Sequence, residues 1–274
     1  MKYIELAVNL KTIDPWREIL IAELAEKGFE SFVETNSGFV GYIQEPLYQP
    51  AVTDTIKDLE YVTSFELKTI EEQNWNAEWE KNFDPVFVED KLAIVAPFHT
   101  PPTGFQQIIT IMPKMSFGTG HHQTTWLVSK ALFDLDLKGK HVLDMGTGTG
   151  ILAILAEKLG AASVFAPDID EWSYLNAIEN CETNQCKNIE VIQGGDEVLA
   201  GKFFHIILAN INKNVLIKHF SVYSTALQTG GLLLISGFFE TDQADLVAEA
   251  AKHGFVFDKI SSREGWAIIH LRKG

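Results

Sequence analysis

The stretch Val142-Leu143-Asp144-Met145-Gly146-Thr147-Gly148-Thr149-Gly150-Ile151-Leu152-Ala153-Ile154 decides how this chain is read. It opens on a short apolar run suited to a buried strand. Three glycines follow at alternate positions, and the chain resumes as an apolar helix start. A helix start carries N–H groups with no intrahelical acceptor, and these favour a negative ligand group. Glycine suits the approach because a Cβ would hold ligand and backbone apart. The pattern is weak alone and gains weight from its strand and helix flanks. A purely structural turn is the plain alternative.

The spacing separates the cofactor classes. A nicotinamide fingerprint, G-x-G-x-x-G, needs glycine at position 151, where Ile151 stands. The spacing here is G-x-G-x-G, as in Rossmann-like methyltransferases, so Gly146 and Gly148 are expected against S-adenosylmethionine. Asp168 ends the next strand, 22 residues after Gly146. An acid there accepts hydrogen bonds from ribose hydroxyls. Asp170 lies past the strand end and is expected to cap the following helix. Asp144 either reaches the cofactor's amino group or braces the loop.

Outward from this motif the pattern alternates. Strands are expected at Leu92–Ala96, Ile108–Met112, Val164–Ile169, Ile189–Gln193, Phe204–Ala209, Leu232–Ser236, Phe255–Ile260 and Trp266–Leu271. Helices are expected at His121–Leu137, Ile151–Leu159, Glu171–Asn184, then up to Leu227, and from Thr241 to His253. Unbroken apolar strands alternating with amphipathic helices predict a parallel sheet covered on both faces. This catalytic domain is assigned residues 91–274.

The first 70 residues read differently. Tyr3 to Asn9 alternates as a half-buried strand. Asp14 is placed to cap a helix with Pro15 at its first turn and Ile19, Leu20 and Leu24 on one face. Ser31–Thr35 and Phe39–Ile43 flank the turn Asn36-Ser37-Gly38 and form a hairpin. A helix over 51–59 and a strand over 63–70 complete βαββαβ, a ferredoxin-like α+β sandwich. Residues 71–90 are a linker with a short helix, Asn74–Asn82, carrying Trp75 and Trp79 on one face for packing between domains.

Composition narrows the function. The chain has 274 residues, 46% of them hydrophobic, and no apolar run long enough for a membrane helix. With an acid at Glu5 and no apolar signal core, a soluble cytoplasmic protein is expected. The net charge is -15, and residues 1–90 hold 19 acids against 7 bases. That imbalance disfavours direct contact with nucleic acid and suits a basic protein partner, or simply a soluble surface. Cys181 and Cys186 read as free thiols. His121 and His122 diverge from a helix start and lack a third ligand, so no metal is expected.

Three segments carry a family resemblance. Met-Ser-Phe-Gly-Thr-Gly-His-His-Gln-Thr-Thr at 115–125 resembles the F-G-T-G-x-H-x-T-T block of the ribosomal protein L11 methyltransferases (PrmA). Residues 142–154 resemble their V-L-D-x-G-T-G-S-G-I-L-A-I, and Ala209-Asn210-Ile211 their A-N-I. The likeness spans about residues 73–274; residues 1–70 match in size and topology only. Two departures stand out: His121-His122-Gln123 replaces Thr-His-Pro, and Pro167 precedes Asp168. The resemblance implies an S-adenosylmethionine-dependent enzyme methylating lysine side chains and the N-terminal amine of ribosomal protein L11. It implies that Thr125, Gly146, Asp168 and Asn210 contact the cofactor and that the acidic N-terminal domain grips the basic substrate. A monomer acting without membrane or nucleic acid is expected.

The nucleophile must be a neutral amine, and Asn210 is the candidate catalytic residue that orients it; a role confined to cofactor or loop is the alternative. Other readings are a methyltransferase of another protein, a nicotinamide-dependent oxidoreductase, and an inactive binding module. Glutamine and nucleic-acid methyltransferases usually carry N-P-P-Y where this chain has Asn210-Ile211-Asn212-Lys213, so they fit poorly.

Overall fold

Alternation in the first strand puts every second side chain under cover. In the computed structural model, which describes residues 2–70, 83–114 and 116–274, β1 (Tyr3–Leu10) buries Ile4, Leu6, Val8 and Leu10. It is followed by α1 (Trp16–Glu26), β2 (Ser31–Thr35), β3 (Gly38–Gln44), α2 (Ala51–Lys57) and β4 (Val62–Ile70). The four strands form one antiparallel sheet in the order β2-β3-β1-β4. Leu20, Leu24, Val52 and Ile56 from the helices join Phe39 and Ile43 in its core. Gly38 is required by close approach, since a Cβ would lie 2.0 Å from the Val8 carbonyl oxygen.

The start of α1 differs from expectation. No side chain caps it, and Pro15 rather than Asp14 holds the cap position. The Arg17 N–H donates instead to the backbone carbonyl of Ile13 at 2.8 Å, which removes the need for a carboxylate.

The chain divides into two compact units, 1–82 and 83–274. The second begins ahead of Lys91 because β5 (Val86–Val88) pairs with β6 (Leu92–Val95), which runs parallel to β7 (Gln107–Thr110). The expected helix Asn74–Asn82 lies outside the described residues. Next comes α3 (Gln123–Leu132), which starts two residues after His121 and ends five before Leu137.

The remaining elements alternate: β8 (His141–Met145), α4 (Ile151–Lys158), β9 (Ser163–Asp168), α5 (Glu171–Thr183), β10 (Ile189–Gln193), β11 (Phe204–Asn210), α6 (Lys213–Ala226), β12 (Leu227–Phe239), α7 (Gln243–Lys252), β13 (Phe255–Arg263) and β14 (Trp266–Lys273). Their sheet order is β10-β9-β8-β11-β12-β14-β13. Ile206 and Leu208 of β11 pack with α3 and α4 on one face, while Ile207 and Ala209 pack with α6 and α7 on the other. Such two-sided burial is what an unbroken apolar strand requires.

The sheet is not wholly parallel. β14 runs antiparallel to both β12 and β13. Glu264 and Gly265 connect β13 to β14, both with positive φ (51° and 81°). A two-residue link of that kind makes a hairpin, whereas a parallel pair needs a crossover of a dozen residues.

The order also fixes where a ligand fits. From β8 the chain moves outward to β9 and β10, then returns to β11 on the opposite side of β8. Connections leaving in opposite directions open a crevice at the carboxyl ends of β8 and β11.

Candidate functional site

The crevice is a cleft of about 770 Å³, within the range of small-molecule sites. Met145, Asp168 and Asn210 reach it from the ends of β8, β9 and β11, and Gly146 and Gly148 form its floor.

The glycine loop is folded by its own backbone. The N–H groups of Gly146 and Thr147 donate to the Pro167 carbonyl at 3.0 and 3.2 Å. Pro167 thus lacks a donor, but its carbonyl anchors the loop from the strand end, where the ladder tolerates proline. Gly146, Gly148 and Gly150 all have positive φ. The Thr149 N–H donates to the Phe117 carbonyl at 2.9 Å, and its hydroxyl donates to the Gly118 carbonyl at 2.6 Å. These bonds fasten the 116–120 segment over the glycine loop.

Asp168 takes the Gly148 N–H on one oxygen at 2.8 Å and the Asp170 N–H on the other at 3.0 Å. A carboxylate has about four acceptor positions, so two remain for ligand hydroxyls. Asp170 caps α5 through the N–H groups of Trp172 and Ser173, as expected from its place past the strand.

Asp144 braces the loop. It is 1% exposed and accepts from the Thr147 hydroxyl at 2.7 Å and the Ala153 N–H at 3.1 Å. Burial pushes its pKa up to about 6; the two hydrogen bonds oppose this and nearby Asp168 adds to it. An acid whose pKa is raised on folding keeps its proton while the unfolded chain, near 3.8, has lost it. Stability therefore declines as pH rises from about 4 to 6 and stays lower above that. Asp144→Asn keeps an acceptor oxygen and removes the charge. It is expected to raise stability at pH 8 by up to about 3 kcal/mol and to change it little at pH 4. Thermal unfolding at the two pH values checks this, and an equal effect at both would contradict the assignment.

Asn210 has one hydrogen bond at the limit of contact, from its Nδ2 to the Thr125 hydroxyl at 3.5 Å. Its Oδ1 is buried and has no partner in the protein. A buried acceptor left open costs roughly 1–3 kcal/mol unless a ligand donor meets it. Thr125 is fully buried behind Asn210, and Thr124 takes the place in the cleft lining.

His121 and His122 diverge. His121 lies against the Asp84 carbonyl at 3.0 Å. His122 caps α3 by accepting the Thr124 N–H at 3.2 Å, and so replaces the fixed turn a proline would supply. Burial lowers its pKa and keeps the ring neutral near pH 7. Among the described residues no cluster suits a metal ion.

The profile of the family described as ribosomal protein L11 methyltransferase (PrmA) matches residues 21–274. The chain belongs to that family. It is 42% identical to the ribosomal protein L11 methyltransferase of Porphyromonas gingivalis over 99% of this chain and 98% of that protein. The Bacteroides fragilis protein of the same name is 40% identical over 98% and 99%. The crystal structure of a ribosomal protein L11 methylase from Lactobacillus delbrueckii subsp. bulgaricus superposes with a TM-score of 0.65 at 30% identity, covering 70% of this chain and all of that one.

Membership in the ribosomal protein L11 methyltransferase family makes the chain a methyltransferase with S-adenosylmethionine as donor, on a mixed α/β methyltransferase fold. The cleft fits that donor. Gly146 and Gly148 line the cleft where a Cβ would strike Ile211 or the Phe117 carbonyl, and Asp168 retains acceptor capacity. Sequence reasoning missed the loop Gly194-Gly195-Asp196-Glu197, which lines the cleft beyond β10, and Trp266 at the start of β14. The glycine pair was a visible turn signal. Nothing local marked Trp266, because the hairpin and the sheet order bring it to the site.

Proposed function

We propose that this enzyme N-methylates ribosomal protein L11 on lysine side chains and the N-terminal amine. The observation that carries the chemistry is the buried, unpartnered Oδ1 of Asn210 in the cleft. Gly146, Gly148 and Asp168 hold the cofactor, with Thr125 acting through Asn210. When bound, S-adenosylmethionine supplies a methyl group on a sulfonium sulfur, an electrophile needing no further activation. The protein's task is to present a neutral amine. A lysine with pKa near 10.4 is about 3 units too protonated at pH 7, a cost of about 4–5 kcal/mol. The Asn210 carbonyl oxygen orients the amine through an N–H while stabilising the ammonium less than a carboxylate would.

Residues 1–70 serve as a ferredoxin-like substrate-recognition domain, and residues 91–274 as the catalytic domain, joined in its compact unit by 83–90 from the predicted linker 71–90. The observed element order and the sheet order β2-β3-β1-β4 support the first assignment. On the sheet face away from the buried core, Glu5 lies between Tyr42 and Lys68, and Ala7 beside Glu66. The acidic excess of residues 1–90 suits a basic protein rather than a phosphate backbone. No described helix is long and apolar enough to cross a membrane. The enzyme is read as a cytoplasmic monomer.

Intact-mass spectrometry of purified L11 incubated with enzyme and S-adenosylmethionine tests this reading. Steps of about 14 mass units, one CH2 each, are expected. An unchanged mass alongside normal cofactor binding would keep the fold and overturn the substrate.

A further inference from the structure

The cleft is chemically divided. Its acids, Asp168, Asp196 and Glu197, sit at or beyond the ends of β9 and β10, on one side of the β8–β11 switch point. Asn210, Gly237 and Trp266 reach it from β11, β12 and β14 on the other side. That second side has aromatic rings in contact. Trp266 meets His122 edge-on at 4.5 Å between centroids, and His122 meets Phe117 at 5.2 Å. Phe239 backs Trp266 at 4.2 Å. Phe117, His122 and Trp266 all line the cleft, and the neutral His122 adds no competing charge.

We propose that Trp266, with Phe117 and His122, forms a neutral aromatic wall that holds the substrate nitrogen as methyl groups accumulate on it. The inference rests on the amine-methylation reading above and names what the site binds between rounds. Each round replaces one N–H by N–CH3, sends one proton to water and leaves the donor sulfur neutral. The product nitrogen stays positive but loses a hydrogen-bond donor each time. A single acceptor such as Asn210 Oδ1 therefore weakens as a handle from round to round. The face of an aromatic ring attracts a cation whether it carries hydrogens or methyls. A carboxylate in the same place would hold the nitrogen protonated and unreactive. Trp266 is thus a specificity-determining residue for the later rounds, beside Asn210 for the first.

The test is a time course of intact masses of L11 with wild type, Trp266→Leu, Trp266→Phe and Phe117→Leu, together with S-adenosylmethionine affinity for each. Wild type is expected to pass beyond one methyl per site. Trp266→Leu is expected to slow the second and third additions about tenfold more than the first, so that partly methylated sites accumulate. Trp266→Phe restores much of the later rounds, and cofactor affinity stays within about threefold. Phe117 is 54% exposed, so Phe117→Leu tests the wall with little risk to folding and is expected to shift the same ratio less. An unchanged ratio in both leucine variants, or equal slowing of all additions, would overturn the wall. So would a wild-type product that stops at one methyl. No methylation by wild type that still binds the cofactor would overturn the substrate reading and the wall with it.

Discussion

Replacing Asn210 by alanine is expected to lower turnover on the protein substrate about 100-fold while changing S-adenosylmethionine affinity no more than about threefold. The split follows from what each group touches. Gly146, Gly148 and Asp168 remain in the cleft, and β11 keeps its backbone pairing of Asn210 with Ser236. The lost carboxamide has an oxygen that meets nothing in the protein and an amide held only by the 3.5 Å bond to Thr125, so folding depends little on it. Its removal takes away an open acceptor on the side of the cleft away from Asp168, Asp196 and Glu197. Asn210→Asp separates orientation from charge. A carboxylate there stabilises the ammonium and raises its pKa, so the neutral fraction at pH 7 falls and activity recovers as pH rises. Steady-state kinetics from pH 7 to 10, with calorimetric titration of the cofactor, measure both variants. Equal loss of turnover and cofactor affinity in Asn210→Ala would sink the orienting role.

Much of this site was legible because its signals are local. The glycine spacing, the acid at the end of β9 and the Asp170 cap each depend on neighbours a few residues away, and each lies where its local chemistry puts it. Asp170 shows how far this goes. A short polar side chain just past a strand, followed by helix-forming residues, satisfies orphan N–H groups better than any alternative. Asp14 offered the same signal and failed, because the Ile13 carbonyl reached the Arg17 N–H first. Local propensity proposes a cap, and backbone geometry decides whether one is needed.

The features that were not legible depend on distant partners. β14 is apolar along its middle and reads like any strand of a parallel sheet, yet the Glu264–Gly265 turn forces it antiparallel. That reversal brings Trp266, at its beginning, to the same end of the sheet as the finish of β12, where it meets Phe239. Thr125 was expected at the cofactor; both it and Thr124 are buried, yet Thr124 is the one in the cleft lining, while Thr125 meets Asn210. On a helix a shift of one residue rotates a side chain by about 100°, so a motif match cannot separate adjacent threonines.

Gly148→Ala is expected to abolish measurable cofactor binding, a loss of at least about 100-fold, and to lower the melting temperature by roughly 5–10 °C. A Cβ at Gly148 would lie 2.2 Å from the Phe117 carbonyl oxygen, with φ at +57°, a region an L side chain enters at a cost of about 1–2 kcal/mol. Backbone on one side and strained backbone on the other leave no flexible atom to yield. The loop must part from the 116–120 segment, which breaks the Thr149–Phe117 bond and draws the Gly148 N–H off Asp168. Gly139→Ala is the control. Its φ is +73°, but nothing lies within 4 Å of the added Cβ. It therefore isolates the conformational cost, about 1 kcal/mol, and is expected to leave cofactor affinity intact. Isothermal titration and thermal unfolding of the two variants side by side read the difference. If Gly148→Ala bound S-adenosylmethionine as tightly as Gly139→Ala does, the contact between the glycine loop and the Phe117 backbone would not be what shapes the cofactor site.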